Sequence, residues 1–195
     1  MTAKTRYDNL SSDRSQFLNI AKEATDLTLP YLVRGEEEYS KGAKNLITPW
    51  QSVGAKGVVT LASKLMLALL PPQTSFFKLQ LDDSALEAGG IPPNAKSELD
   101  LSFAKIERTI LESIAASSDR VVVHQALKHL VVAGNVLIFM GQQGLKMFPL
   151  NRYVLERDGN GNVIEIVTKE RINHKLLEGL VPPEILGQKI KEVVE

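Results

Sequence analysis

The chain has 195 residues, 44% apolar and 24% charged, which is the balance of a soluble globular protein and not of a disordered tail. Its 23 basic residues are offset by 23 acidic ones, so it lacks the positive excess of a dedicated nucleic-acid-binding module. It has no cysteine, which excludes disulfides and thiolate metal sites and fits a reducing, intracellular compartment.

A first helix is expected from Ser11 or Ser12, either of which could cap it. Phe17, Ile20, Ala21, Ala24 and Leu27 recur at intervals of one to four residues and trace an apolar stripe. Pro30 should stop the helix. Val33 to Asn45 has no periodicity and reads as an exposed loop, its Glu36, Glu37 and Glu38 forming a solvated face.

A second helix is expected from Pro49 or Trp50 to Leu70, with Thr48 as its cap and Pro49 in its first turn. Its second half is apolar nearly all round, which predicts burial on every side. The apolar run Val58 to Leu70 is 13 residues long and interrupted by Lys64. A membrane helix needs about 20 apolar residues, so no membrane span is expected. Gly54 and Gly57 sit inside this helix, where each glycine costs about 1 kcal/mol relative to alanine. Both should therefore mark close approach, within or between subunits, and Gly57→Leu should disrupt packing. Trp50 should be buried in the core or held at a subunit contact.

Phe76 to Leu81 alternates as a strand would, and Asp82 to Asn94 reads as a loop. A third helix spans about Ala95 to Ser117, with Leu99, Phe103, Ile106, Ile110 and Ile114 as its core stripe. A fourth spans about Asp119 to Ala133, capped by Ser118 or Asp119. After Gly134 and Asn135 the period changes. Val136 to Met140 and Leu145 to Leu150 read as paired strands, as do Tyr153 to Arg157 and Val163 to Thr168. The Gly- and Asn-rich run Asp158 to Asn162 suits a tight turn between the second pair. Helices Lys169 to Glu178 and Pro183 to Val194 should follow. The fold class is α+β: a helix-rich first portion, a small antiparallel sheet, then further helices. Three segments are read, 1–47, 48–134 and 135–195.

No motif carries catalysis. Asp158-Gly-Asn160-Gly-Asn162 imitates the start of a calcium loop, but the sixth position is Val163, not glycine, and the twelfth is Lys169, not glutamate. His124 and His129 are five apart, not four as in paired helical zinc ligands, and His174 is remote. Gly54-Ala-Lys-Gly57 has too short a gap for a phosphate loop and follows no strand. Catalytic, cofactor and metal residues are therefore all expected to be none.

The run Thr48 to Leu79, TPWQSVGAKGVVTLASKLMLALLPPQTSFFKL, closely resembles the N-terminal segment of the head-to-tail connectors, or portal proteins, of short-tailed podoviruses. Leu127 to Leu137 resembles the same family, and Tyr153 to Ile172 does so more loosely, in the same order. Residues 1–47 match it only in helical character. The resemblance implies a ring of usually twelve subunits at one capsid vertex, through which double-stranded DNA is packaged and ejected. It implies capsid, scaffolding, tail-adaptor and terminase partners, with ATP hydrolysis left to the terminase. Family members are longer, so the channel stem, clip, crown and channel loop would lie beyond Glu195, leaving the portal wing. Pro49, Trp50, Gly54, Gly57, Lys64, Gly134 and Asn135 are the expected packing or assembly positions. A generic phage assembly or scaffold-type oligomer is the alternative.

Overall fold

A computed structural model describes residues 2–33, 48–72, 74–80, 93–141 and 144–173, and the side chains of these apart from 93–95. Two helices open the chain, α1 (Ala3–Asp13) and α2 (Ser15–Leu27). Thr2 caps α1 by accepting a hydrogen bond from the Thr5 amide at 3.3 Å. Ser11 and Ser12 lie inside α1, so the expectation of one helix starting there is corrected. The break falls at Arg14, whose φ of −104° and ψ of 14° leave the helical range. Within α2, Ala21 and Thr25 are buried while Phe17, Ile20 and Leu27 are exposed. Of the stripe read from sequence, Ala21 is buried and Ala24 half-buried, and the core face continues through Thr25 rather than through Phe17, Ile20 and Leu27. Small residues let α2 approach its neighbour closely, and Thr25 Oγ1 donates to Lys22 O at 2.7 Å within its own helix. The helix ends at Leu27, ahead of Pro30.

Helix α3 (Val53–Leu69) starts later than expected. Ser52 is its N-cap and the Ser52 carbonyl accepts from Lys56 N at 2.9 Å, so Thr48 is not the cap and Pro49 precedes the helix. Val58, Ala62 and Met66, at four-residue intervals, form its buried face. Val59, Leu61, Leu67 and Leu69 are exposed, which corrects the expectation of all-round burial. Among the described residues α3 packs mainly on α5 (Asp119–Ala133), with its first turns against the end of α2, and these neighbours leave its other faces open.

Residues 76–80 do not form a strand. The Leu79 amide donates to Glu107 Oε1 at 2.6 Å, so a side chain stands where a strand partner would. Leu81 and the expected loop up to 92 lie outside the described residues, while Pro93 and Asn94 are helical. Helix α4 (Pro93–Ala116) buries none of its described side chains. Leu99, Phe103 and Ile114 are half-buried and Ile106 and Ile110 exposed, so the expected core stripe is corrected to a largely open one.

Helix α5 has the bounds expected for it. Ser118 is its N-cap but makes no side-chain cap bond. The Asp119 carboxylate instead accepts from the Leu145 amide at 2.8 Å and fastens the next hairpin to the helix start. Gly134, at φ 72°, takes the left-handed conformation that ends α5, with its amide donating to Leu130 O at 3.0 Å.

The strands form two separate antiparallel hairpins where a single sheet was expected. In the first, β1 (Leu137–Gly141) pairs with β2 (Gly144–Phe148), Leu137 opposite Phe148. A short 3-10 turn, Leu150–Arg152, leads to β3 (Tyr153–Arg157), which pairs with β4 (Val163–Thr168), Tyr153 opposite Thr168. Asp158 closes the second hairpin by accepting from the Asn160 and Asn162 amides at 3.0 and 2.7 Å. Residues 169–173 are not helical, which corrects the start of the expected helix Lys169 to Glu178. Residues 174–195, with the second expected helix, lie outside the described residues, as does the acidic loop from 34.

One apolar cluster joins Ala21, Leu29, Leu32 and Val33 to Val58, Ala133, Phe148, Leu150 and Tyr153. A smaller one joins Ala62 and Met66 of α3 to Leu127 of α5. The larger cluster draws on all three sequence segments, so the N-terminal helices and the hairpins share a core.

Candidate assembly surface

The chain's most unusual surface group is Trp50, just before α3, with 103% relative exposure. Burial in its own core, one of the two expectations for it, is thereby corrected: residues 48–52 run outside the helix and carry the indole away from the packed face. Val53, in the first turn of α3, is exposed beside it. The two helical glycines differ. A Cβ on Gly54 would stand 3.1 Å from Thr28 Cγ2 and 3.2 Å from Leu27 O, so α3 crosses the end of α2 closely there. A Cβ on Gly57 would meet no described atom within 4 Å, which removes the intrachain basis for expecting Gly57→Leu to disturb packing. Lys64 is exposed on the outer side of α3, Pro49 is half-buried, and Asn135 is exposed just past the Gly134 cap.

At the far end of α3, an open cleft of about 240 Å³ lies between Pro71, Pro72 and Phe76 on one side and α4 on the other. Arg120 donates to Leu70 O at 2.8 Å along its floor. Arg108 and Glu112 form an exposed ion pair at 2.9 Å on its α4 rim. Phe76 is steadied by an edge-to-face contact with Phe77, centroids 5.2 Å apart.

A second constellation, which sequence reasoning missed, fixes the N-terminal helices to the hairpins. The Arg14 guanidinium donates to Leu150 O at 2.6 Å and to Tyr153 O, and lies 5.4 Å from the Tyr153 ring centroid. Burial pulls the Arg14 pKa down and pushes that of Tyr153 up. Nearby, Arg6 pairs with Glu156 and, at 2.9 Å, with Glu165, and the Tyr7 hydroxyl donates to Asn151 O at 2.9 Å. No local pattern marks Arg14 in sequence, because its partners are carbonyls more than 130 residues away.

The two described histidines, His124 and His129, share no metal-type cluster, and His174 lies outside the described residues. His124 Nε2 is 3.4 Å from Ser63 Oγ, whereas His129 is buried, with its Nδ1 unbonded among the described residues. Burial lowers both pKa values, that of His129 to about 4. Among the described residues no three acidic, histidine or cysteine side chains gather as a metal site would require. No described helix is long and apolar enough to cross a membrane.

The described residues thus form a helical body with two hairpins, exposing apolar side chains along α3 and α4. The chain belongs to the bacteriophage head-to-tail connecting protein family, whose model matches residues 1–195. It is similar to the portal protein of Enterobacteria phage T3, 37% identical over 175 residues, which covers 87% of this chain and 32% of the relative. It is 34% identical to the portal protein of Escherichia phage T7 over 192 residues, covering 95% of this chain and 35% of that one. The portal protein of Enterobacteria phage SP6 is 34% identical over 167 residues, covering 83% and 31%. The chain thus spans about a third of the length of the curated relatives it matches.

Proposed function

We propose that this chain is part of a portal subunit, a structural component of the virion that forms the ring joining phage head to tail. The match of the connecting-protein family to all 195 residues carries this reading. The ring, of about twelve copies, would sit at one capsid vertex and pass double-stranded DNA during packaging and ejection. Capsid and scaffolding proteins would contact it during assembly in the host cytoplasm, and the terminase and tail adaptor would dock on it. The chain would do no catalysis and hold no cofactor.

The physical chemistry supports that role. A ring needs heterologous contacts that close on themselves, and the outer faces of α3 and α4 offer apolar surface for them. A channel that moves DNA must not grip it, since each neutralised phosphate adds a salt-dependent brake. Equal numbers of acidic and basic residues, 23 of each, fit that need. The segments 1–47, 48–134 and 135–195 are read as parts of the wing around such a channel.

Native mass spectrometry with negative-stain imaging of the full-length protein tests the proposal. A closed ring of about a dozen subunits is the expected result. A strict monomer, with scaffolding protein present, overturns it.

A further inference from the structure

Trp50 and the Pro71/Pro72 cleft lie at opposite ends of α3. A fully exposed tryptophan is the residue type most enriched among the anchors that dominate protein interfaces. The cleft, about 240 Å³ and open to solvent, is accessible to a protruding side chain. Its chemistry suits an indole. Pro71, Pro72, Phe76 and Ile114 give apolar walls. Arg108, ion-paired with Glu112, and Arg120, bonded to Leu70 O, also line the cleft, and a guanidinium beside an aromatic ring is a favourable contact. Glu112 supplies a carboxylate to accept the indole N–H, which is a donor only.

The placement matters as much as the chemistry. Trp50 lies just before α3, and the cleft starts just after it. Seventeen helical residues at 1.5 Å each separate them by roughly 25 Å, so the indole cannot reach the cleft of its own chain. A knob at one end of a rigid helix and a socket at the other make a head-to-tail contact, the kind that generates rings. We infer that Trp50 of each copy seats in the α4-side cleft of the next copy, with α3 as the spacer between successive contacts. The inference rests on the ring reading above and gives it a specific subunit contact.

Residues 1–195 hold no cysteine, and any cysteine elsewhere in the full-length protein is first replaced by serine to clear the background for cross-linking. Trp50→Cys and Ala115→Cys, the second on the cleft wall, are introduced singly and together into the full-length protein. A short bis-maleimide is then added to assembled samples. The expected result is a cross-linked dimer from a mixture of the two single variants. Neither single variant alone should link, and the double variant should give a ladder of multimers. In parallel, Trp50→Ala should raise the protein concentration needed for half-assembly at least about tenfold, the loss expected for a truncated anchor, and Trp50→Phe should recover part of it. Rings without any link between positions 50 and 115, or with an unchanged half-assembly concentration in Trp50→Ala, overturn the contact and leave the ring reading standing. Links between two copies of Trp50→Cys, or only within one chain, overturn it equally. A wild-type protein that stays monomeric overturns the ring and the contact together.

Discussion

Gly54 and Gly57 are three residues apart on α3 and meet opposite surroundings. A methyl group at Gly54 would press on the Thr28 side chain and the Leu27 carbonyl, and that carbonyl cannot yield as a flexible side-chain end could. Gly54→Ala should therefore destabilise the chain by roughly 1 kcal/mol, since overpacking at about 1–3 kcal/mol outweighs a helix-propensity gain of about 1 kcal/mol. Gly57→Ala meets open space and should stabilise the unassembled chain by up to about 1 kcal/mol. Urea unfolding midpoints of the two variants should move in opposite directions; a shared direction would show that α3 is not seated against α2 as described. From sequence the pair looked equivalent, because helical spacing locates a glycine but not the element facing it. His129 adds a pH dependence. Its folded pKa of about 4 lies below the ordinary 6.5, so the unfolded chain binds the extra proton. Its contribution is complete above pH 6.5 and is lost as pH falls toward 4, by an upper bound of roughly 3 kcal/mol. His129→Leu should flatten the stability curve across that window. An unchanged slope between pH 6.5 and 4 would mean that the imidazole is not buried.

At the scale of elements, the polar clamp around Arg14 is the joint between the N-terminal helices and the second hairpin. Its guanidinium serves the carbonyls of Leu150 and Tyr153, residues only 2% and 3% exposed. Arg14→Ala leaves both carbonyls without that donor, at about 1–3 kcal/mol per unsatisfied group. A total loss of about 2–4 kcal/mol is expected, and Arg14→Lys should not restore it, because a point charge cannot reproduce the fork. Arg6→Ala should cost less and lose its effect in high salt, since its carboxylate partners are part-exposed. Denaturant titrations at low and high salt separate the two arginines; equal salt dependence would contradict their different burial. The elements themselves were largely legible. Helix α5 and the β3–β4 hairpin carry their signals locally, in an apolar period and in the Asp158 to Asn162 turn, and both fall at the expected bounds. The strand expected at 76–81 fails over its described residues, 76–80, and the single helix from Ser11 gives way to two helices that meet at Arg14. At both places a group distant in sequence meets the chain, Glu107 at the Leu79 amide and the Leu150 and Tyr153 carbonyls at Arg14.

For the whole molecule, the informative mismatch is that α3 and α4 read as core helices and yet expose apolar side chains. Leu61, Leu67 and Leu69 on α3 and Leu101, Ile106 and Ile110 on α4 all face outward. Periodicity reports that a face wants to be covered; it does not say which molecule covers it. Trp50 follows the same logic, as a residue with the composition of an interior and the position of a surface. Fully burying one such side chain is worth about 1.5–3 kcal/mol, so even partial coverage of six would rival the stability of a typical domain. If copies of this chain supply the cover, stability becomes a function of concentration, because assembly binds the folded form and not the unfolded one. Each tenfold rise in protein concentration then adds up to about 1.4 kcal/mol per subunit. For a full-length protein about three times as long as this chain, as the curated relatives are, that corresponds to roughly 1–2 °C in apparent Tm. Calorimetry of the full-length protein at two concentrations a decade apart should show that rise, and Trp50→Ala should shrink it. A midpoint that stays fixed under reversible unfolding would place the cover within the chain and remove copies of it from these faces.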